Sequence, residues 1–175
     1  MKPFLRNGQS EDPCDPGLSK DYREKLARLP LELSDSRLQA IAELGALARL
    51  QENYADSQKH FQMAIDESIQ LRLPAFEIAN RIRLGLTYHY ANYFALAEAC
   101  FRQALAACRC IPEASSYTDF ALQHLGKLCV EQNRFTEARI CFEEALVLRE
   151  AKGDHDLIAS TQQALQSLAA LMSNK

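Results

Sequence analysis

The chain has 175 residues, of which 47% are hydrophobic and 25% charged, with a formal net charge of −3 and a pI near 5.8. That balance lacks the basic excess of a general nucleic-acid binder. It also contains no apolar run long enough to span a bilayer. Glycine and proline are few, alanine and leucine abound, and no segment is rich in valine, isoleucine and threonine. Such a composition favours an all-helical chain.

Residues 1–19 carry three prolines, two glycines and scattered acids, and are expected to be disordered or loosely attached. They lack the apolar core of a secretory signal, so the expected location is the cytoplasm. Residues 20–34 read as an N-terminal helix and linker, with "KDYREKLARLP" as the amphipathic part. Three similar segments follow, about 35–73, 75–112 and 115–153. Residues 154–175 read as a C-terminal capping helix. Its apolar stripe is Leu157, Thr161, Ala164, Leu165, Leu168 and Met172, and Ser160, Gln163, Gln166 and Ser167 lie on its outer side.

The three central segments align on Phe61, Phe101 and Phe142, which are 40 and 41 residues apart. Ala64, Ala104 and Ala145 come three residues after each Phe, and Ser57, Ala97 and Ala138 four residues before. Leu44-Gly45, Leu84-Gly85 and Leu125-Gly126 place a glycine sixteen residues before each Phe. Tyr54, Phe94 and Phe135 precede each Phe by seven, with Asn53, Asn92 and Asn133 close by. Small, aromatic, small at spacings of four and three occupies one face of a helix. The Leu-Gly pair belongs to a preceding helix, where the missing side chain lets two helices approach. The asparagine tolerates the left-handed conformation of a tight turn. Each segment is therefore a helical hairpin: a first helix, a short turn and a second helix.

This order of Leu-Gly, small, aromatic and Ala resembles the tetratricopeptide repeat signature. The resemblance covers about 35–151. It departs from the signature where the usual leading tryptophan is Ile41, Arg81 and Leu122. The period is also longer than the common one, as in the repeats of kinesin light chain, the leucine-glycine-asparagine spindle adaptors and bacterial peptide-sensing regulators. The added residues are expected to lengthen the second helix and the loop after it, with Pro74, Pro112 and Gly153 breaking the chain between hairpins. The resemblance implies an all-α, right-handed α-α superhelix of three hairpins with flanking N- and C-terminal helices.

No catalytic constellation is present: there is no glycine-rich phosphate loop, no HExxH and no GxSxG. None of His60, His89, His124 and His155 has a second His or Cys at helical spacing, so no metal and no cofactor is expected. The six cysteines form no CxxC pair and read as reduced, small core residues; Cys108 and Cys110 point to different faces of a helix. "GDHD" at 153–156 could touch a cation, but a helix N-cap and first turn explain it better. The chain is expected not to be an enzyme.

In tetratricopeptide arrays the first helices line a concave groove. On a helical wheel set at Gly45, Gly85 and Gly126, the matching face holds Arg49 on the first hairpin. It holds Ile82, Arg83, Leu86, His89 and Tyr90 on the second, and Phe120, Gln123, His124 and Lys127 on the third. This row carries more apolar and aromatic area than a solvated face should, with several cations among it. It is expected to be an exposed peptide-binding groove; the alternative is that flanking helices bury it as ordinary core. Ala42 and Ala46 replace the lysine and asparagine of a carboxylate clamp, which argues against chaperone-tail binding. Four groove helices about 8–10 Å apart span on the order of 30 Å, the reach of about nine extended residues. The leading expectation is a protein-interaction scaffold for a peptide or partner segment. Alternatives are a bacterial-type regulator sensing a signalling peptide or small ligand, and a self-associating scaffold that forms a homo-oligomer. No nucleic-acid or membrane partner is expected.

Overall fold

The computed structural model describes residues 34–173; the expected helix at 20–30, the reading of residues 1–19 and Cys14 lie outside the described residues. The described chain forms seven α-helices and one 3-10 segment, in the order α1 Ser34–Leu50, α2 Tyr54–Gln70, α3 Pro74–Tyr90, α4 Phe94–Cys110, the 3-10 turn Pro112–Tyr117, α5 Thr118–Glu131, α6 Phe135–Lys152 and α7 His155–Ser173. Two compact units divide within α4, one ending at Cys100 and the other starting at Phe101.

The origin of the long period is visible in the first unit. Helices α1, α2 and α3 are each 17 residues long, and three-residue turns join them. Two such helices and two such turns make one 40-residue period. The added length therefore sits in the helices, and the loop after the second helix, 71–73, is as short as the turn inside the hairpin. This differs from the expectation of a longer loop. Only after α4 does the linker lengthen: the 3-10 turn takes up residues there, and α5 shortens to 14.

One backbone motif closes four helices. At the ends of α1, α2, α3 and α5 the residue after the cap is left-handed: Glu52 (φ 58°), Arg72 (φ 56°), Asn92 (φ 62°) and Asn133 (φ 59°). Its N–H reaches the carbonyl three residues back, and the next N–H reaches five back, as in Asn92 to His89 (3.0 Å) and Tyr93 to Tyr88 (2.8 Å). That pair of bonds satisfies carbonyls the helix end would leave bare. Asn92 and Asn133 hold the position that sequence assigns to asparagine. Asn53 does not: it lies one residue later, and its side chain accepts the Asp56 N–H at 3.2 Å, capping α2, while Glu52 takes the strained conformation. Gly153 closes α6 at φ 73°, and Asp154 then caps α7 by accepting the Leu157 N–H at 3.1 Å.

In the first and third hairpins the second helix presses its aromatic ring on the glycine of the first. A Cβ on Gly45 would lie 3.0 Å from the Phe61 ring, and one on Gly126 only 2.6 Å from the Phe142 ring. Phe61 and Phe142 are fully buried, as are Ala64 and Ala145 beside them. Around Phe61 the core of the first unit gathers Leu38, Ile41, Ala46, Ile65, Leu84 and Cys100. The small position four residues before Phe61 is polar: Ser57 donates to Thr87 Oγ1 (2.9 Å), which itself donates to the Arg83 carbonyl (3.0 Å), tying α2 to α3.

These contacts rank two substitutions. Gly126→Ala forces the Phe142 ring to move and should cost about 1–3 kcal/mol. Gly45→Ala meets a softer contact and also gains about 1 kcal/mol of helix propensity, so it should be near neutral. Urea denaturation of the two variants beside wild type checks the ranking.

Candidate functional site

The row of first-helix residues falls in both units, and each part has its own chemistry. In the first unit, Arg49, Ile82, Leu86 and His89 are buried, and Arg83 and Tyr90 are half-buried. The expected exposure of Ile82 and Leu86, at 5% and 3%, is therefore not found. Neighbouring helices cover their branched side chains as core. The polar members are paired locally. The Arg49 guanidinium lies 5.7 Å from the centre of the Tyr90 ring. Arg83 Nη1 donates to Asn80 Oδ1 at 2.8 Å, and His89 meets the Phe94 ring edge-on at 5.8 Å. Glu43 shares this face. Its Oε1 accepts from Gln39 at 3.0 Å, while Oε2 is buried without a hydrogen-bond partner among the described residues. Burial pushes the Glu43 carboxyl above the usual carboxylate range, and the nearby Arg83 charge offsets this only in part.

In the second unit, Gln123, His124 and Lys127 are buried and Phe120 is half-buried. His124 stacks on the Phe101 ring at 5.7 Å. Phe120 and Gln123 belong to a polar joint that sequence reasoning did not find. Arg149 of α6 is 1% exposed, and its Nε donates to Oδ2 of the fully buried Asp119 at 3.0 Å. Its Nη1 donates to Thr161 Oγ1 (2.7 Å) and to the Leu157 carbonyl (3.1 Å), both on α7. The Thr161 hydroxyl lies 2.9 Å from the Leu157 carbonyl and 3.2 Å from Gln123 Oε1, which share its hydrogen. Lys152 pairs with the other Asp119 oxygen, and the Arg149 and Lys152 cations lie 5.5 and 5.4 Å from the Phe120 ring centre. Asp119, in the first turn of α5, also faces the positive end of that helix. The signal was present in the sequence. Arg149 stands seven residues after Phe142 on the core stripe, where Ser68 and Cys108 stand after Phe61 and Phe101.

Of the cysteines, Cys100, Cys108, Cys129 and Cys141 are buried and Cys110 is exposed, so the two cysteines of "CRC" do face different ways. Burial pushes the Cys100 thiol up to about 11 and the Cys141 thiol up to about 12, which keeps both protonated and unreactive near neutral pH. Among the described residues, no three His, Cys, Asp or Glu side chains stand together as metal ligands, and no helix is long and apolar enough to cross a membrane.

Two measurements follow from this geometry. Asp119→Ala leaves the Arg149 guanidinium buried without its counter-charge and should cost about 3–5 kcal/mol in urea unfolding. Lys152→Ala, at a partly exposed side chain, should cost no more than about 1 kcal/mol. The Glu43 carboxyl holds its proton more tightly in the folded state than in the unfolded one. Its stabilising contribution is thus present at acid pH and is lost as pH rises through the raised folded value. Glu43→Gln should therefore melt higher than wild type at pH 7, and the gap should close as pH falls toward the ordinary glutamate value of about 4.3.

No curated protein sequence matches the chain. Among solved structures, the crystal structure of BtubC (BKLC) from P. vanneervenii superposes with a TM-score of 0.60 at 16% identity, covering 88% of this chain and 72% of that one. At that identity the likeness is one of fold. The tetratricopeptide repeat family model matches residues 80–109 and 121–152, each running from a first helix into the second helix behind it. Together with the Leu-Gly, Phe and Ala positions and the consecutive helical hairpins, these matches identify the chain as a tetratricopeptide repeat protein.

Proposed function

We propose that the chain is a non-enzymatic scaffold that binds a peptide or a partner segment along the first-helix face. Tetratricopeptide repeats support protein–protein interaction in general; the finer reading rests on what this face holds. The single observation that carries it is the polar content of this face, which sets Glu43, Arg49, Arg83 and Tyr90 among its buried apolar members. The ring-on-glycine contact turns the Gly45 side of α1 toward the second helix, and Glu43, two residues before Gly45, stands roughly 160° around the helix from it. Arg83 of α3 is half-buried near the Glu43 carboxyl, whose Oε2 is buried without a hydrogen-bond partner among the described residues, and Tyr90 is half-buried against Arg49. An unmatched buried acceptor costs about 1–3 kcal/mol, a cost that a main-chain N–H of a bound segment would relieve. Cations and aromatics on such a face suit a segment with carboxylate and apolar side chains. Arg83 and Tyr90 are the contacts of choice for a test, because Ile82, Leu86, His89, Gln123, His124 and Lys127 are buried and their substitution would disturb packing.

The test is affinity capture from a host lysate with wild type beside Arg83→Glu and Tyr90→Ala, after circular dichroism shows both variants folded. The proposal expects a protein held by wild type and reduced at least tenfold in one of the variants, which is about 1.4 kcal/mol of binding. Equal retention by all three would remove this face from the interaction.

A further inference from the structure

Helix α7 begins two residues after left-handed Gly153, as α3 begins two residues after left-handed Arg72. The register this sets makes α7 a further first helix. Gln166 falls at the place of Gly85, Leu165 at the place of Leu84 and Ala169 at the place of Tyr88. In the hairpins that face meets a second helix. In α7 the buried residues are Thr161, Ala164 and Leu168, which pack toward the rest of the second unit. The row Ile158, Leu165, Ala169 and Met172 is instead half-buried or exposed, Met172 at 41%. At 100° per residue these four fall within an arc of roughly 60°. The glutamine at the glycine place also blocks the seat that a phenylalanine ring occupies on Gly45 and Gly126.

We propose that this row of α7 docks on the same row of a second copy of the chain, antiparallel about a two-fold axis. The argument is electrostatic and symmetric. From Leu157 to Ser173 the helix carries no charged residue, in a chain that is 25% charged. A surface that meets itself across a two-fold axis sets each residue against its own symmetry mate or a fixed partner. Any charge near the axis would face its like; here there is none. A charged partner segment would find no counter-charge to repay its desolvation. The spacing is self-complementary as well. With Leu165 on the axis against Leu165 of the second copy, Ile158 meets Met172 and Met172 meets Ile158. Gln162 and Gln166, exposed beside the row, carry both donor and acceptor and can pair with their own kind. The outer face of α6 offers no such match, since Arg139, Glu143 and Glu150 are exposed among its Ile140 and Val147. One helix pair buries less than the roughly 1,200 Å² of standard interfaces, so the dissociation constant should be on the order of micromolar.

Sedimentation velocity of the 175-residue chain over a concentration series tests this. Wild type should move from 19.7 kDa toward twice that mass as concentration rises through the micromolar range. Leu165→Glu should stay monomeric at the same concentrations, with its helical signal intact. An equal mixture of Leu165→Glu and Leu165→Lys should regain the dimer, because the two charges then meet as opposites. If Leu165→Glu does not fold, Met172→Glu mixed with Ile158→Lys gives the same readout at the flanking pair. A wild type that remains monomeric throughout, a Glu variant that dimerises like wild type, or a charge-swapped mixture that fails to associate would each overturn the proposal.

Discussion

The contact on which the hairpins depend is an aromatic ring lying on bare helix backbone. Phe61 against Gly45 and Phe142 against Gly126 bring two helices so close that a Cβ at the glycine would meet the ring at 3.0 and 2.6 Å. The ring is wide enough to need that space, and the small residues flanking it, Ser57 and Ala64 or Ala138 and Ala145, keep the second helix close on either side. Interiors packed at crystal-like density leave little room for a methyl group. The first-helix face turned toward the ring is thereby committed to the core, and Glu43 stands on the other side of α1. The turns act in concert with this contact. Their paired backbone bonds stop α1, α2, α3 and α5 in one geometry, so ring and glycine arrive in register after a fixed number of residues.

The second unit adds a different kind of joint. Where the first unit places Ser68, bonded back to its own helix, α6 places Arg149. The guanidinium gathers Asp119, Thr161 and the Leu157 carbonyl, so three helices meet at one buried cation. Its donors are well used, which is the condition for such a charge to persist in a core. Helix α7 buries few apolar residues, and this joint specifies where it sits. The same arrangement leaves the uncharged side of α7 turned outward.

Much of this was legible from spacing. The alignment on Phe61 and Phe142 carries their helical pairs because ring, glycine and small residue stand at the same spacings in both. The asparagines at 92 and 133 signal their turns because that residue tolerates positive φ, whereas Glu52 and Arg72 adopt it without any such signal. There the helix-ending bonds outweigh a strain that favours glycine or asparagine. The burial of Ile82, Leu86 and Gln123 was not legible, because a helical wheel shows which residues share a face but not what covers it. Arg149 could have been read from its place on the core stripe; its partners, thirty residues before and twelve after, could not.

The most direct test of the ring-on-glycine account is a double-mutant cycle on Gly126→Ala and Phe142→Leu, read as unfolding free energy in urea. If the ring needs the bare glycine, the alanine should cost little once the ring is gone. The cycle should then show a coupling of about 1–2 kcal/mol, within the range for residues in contact. Additive costs, with alanine as damaging beside leucine as beside phenylalanine, would contradict the account and assign the glycine some other role.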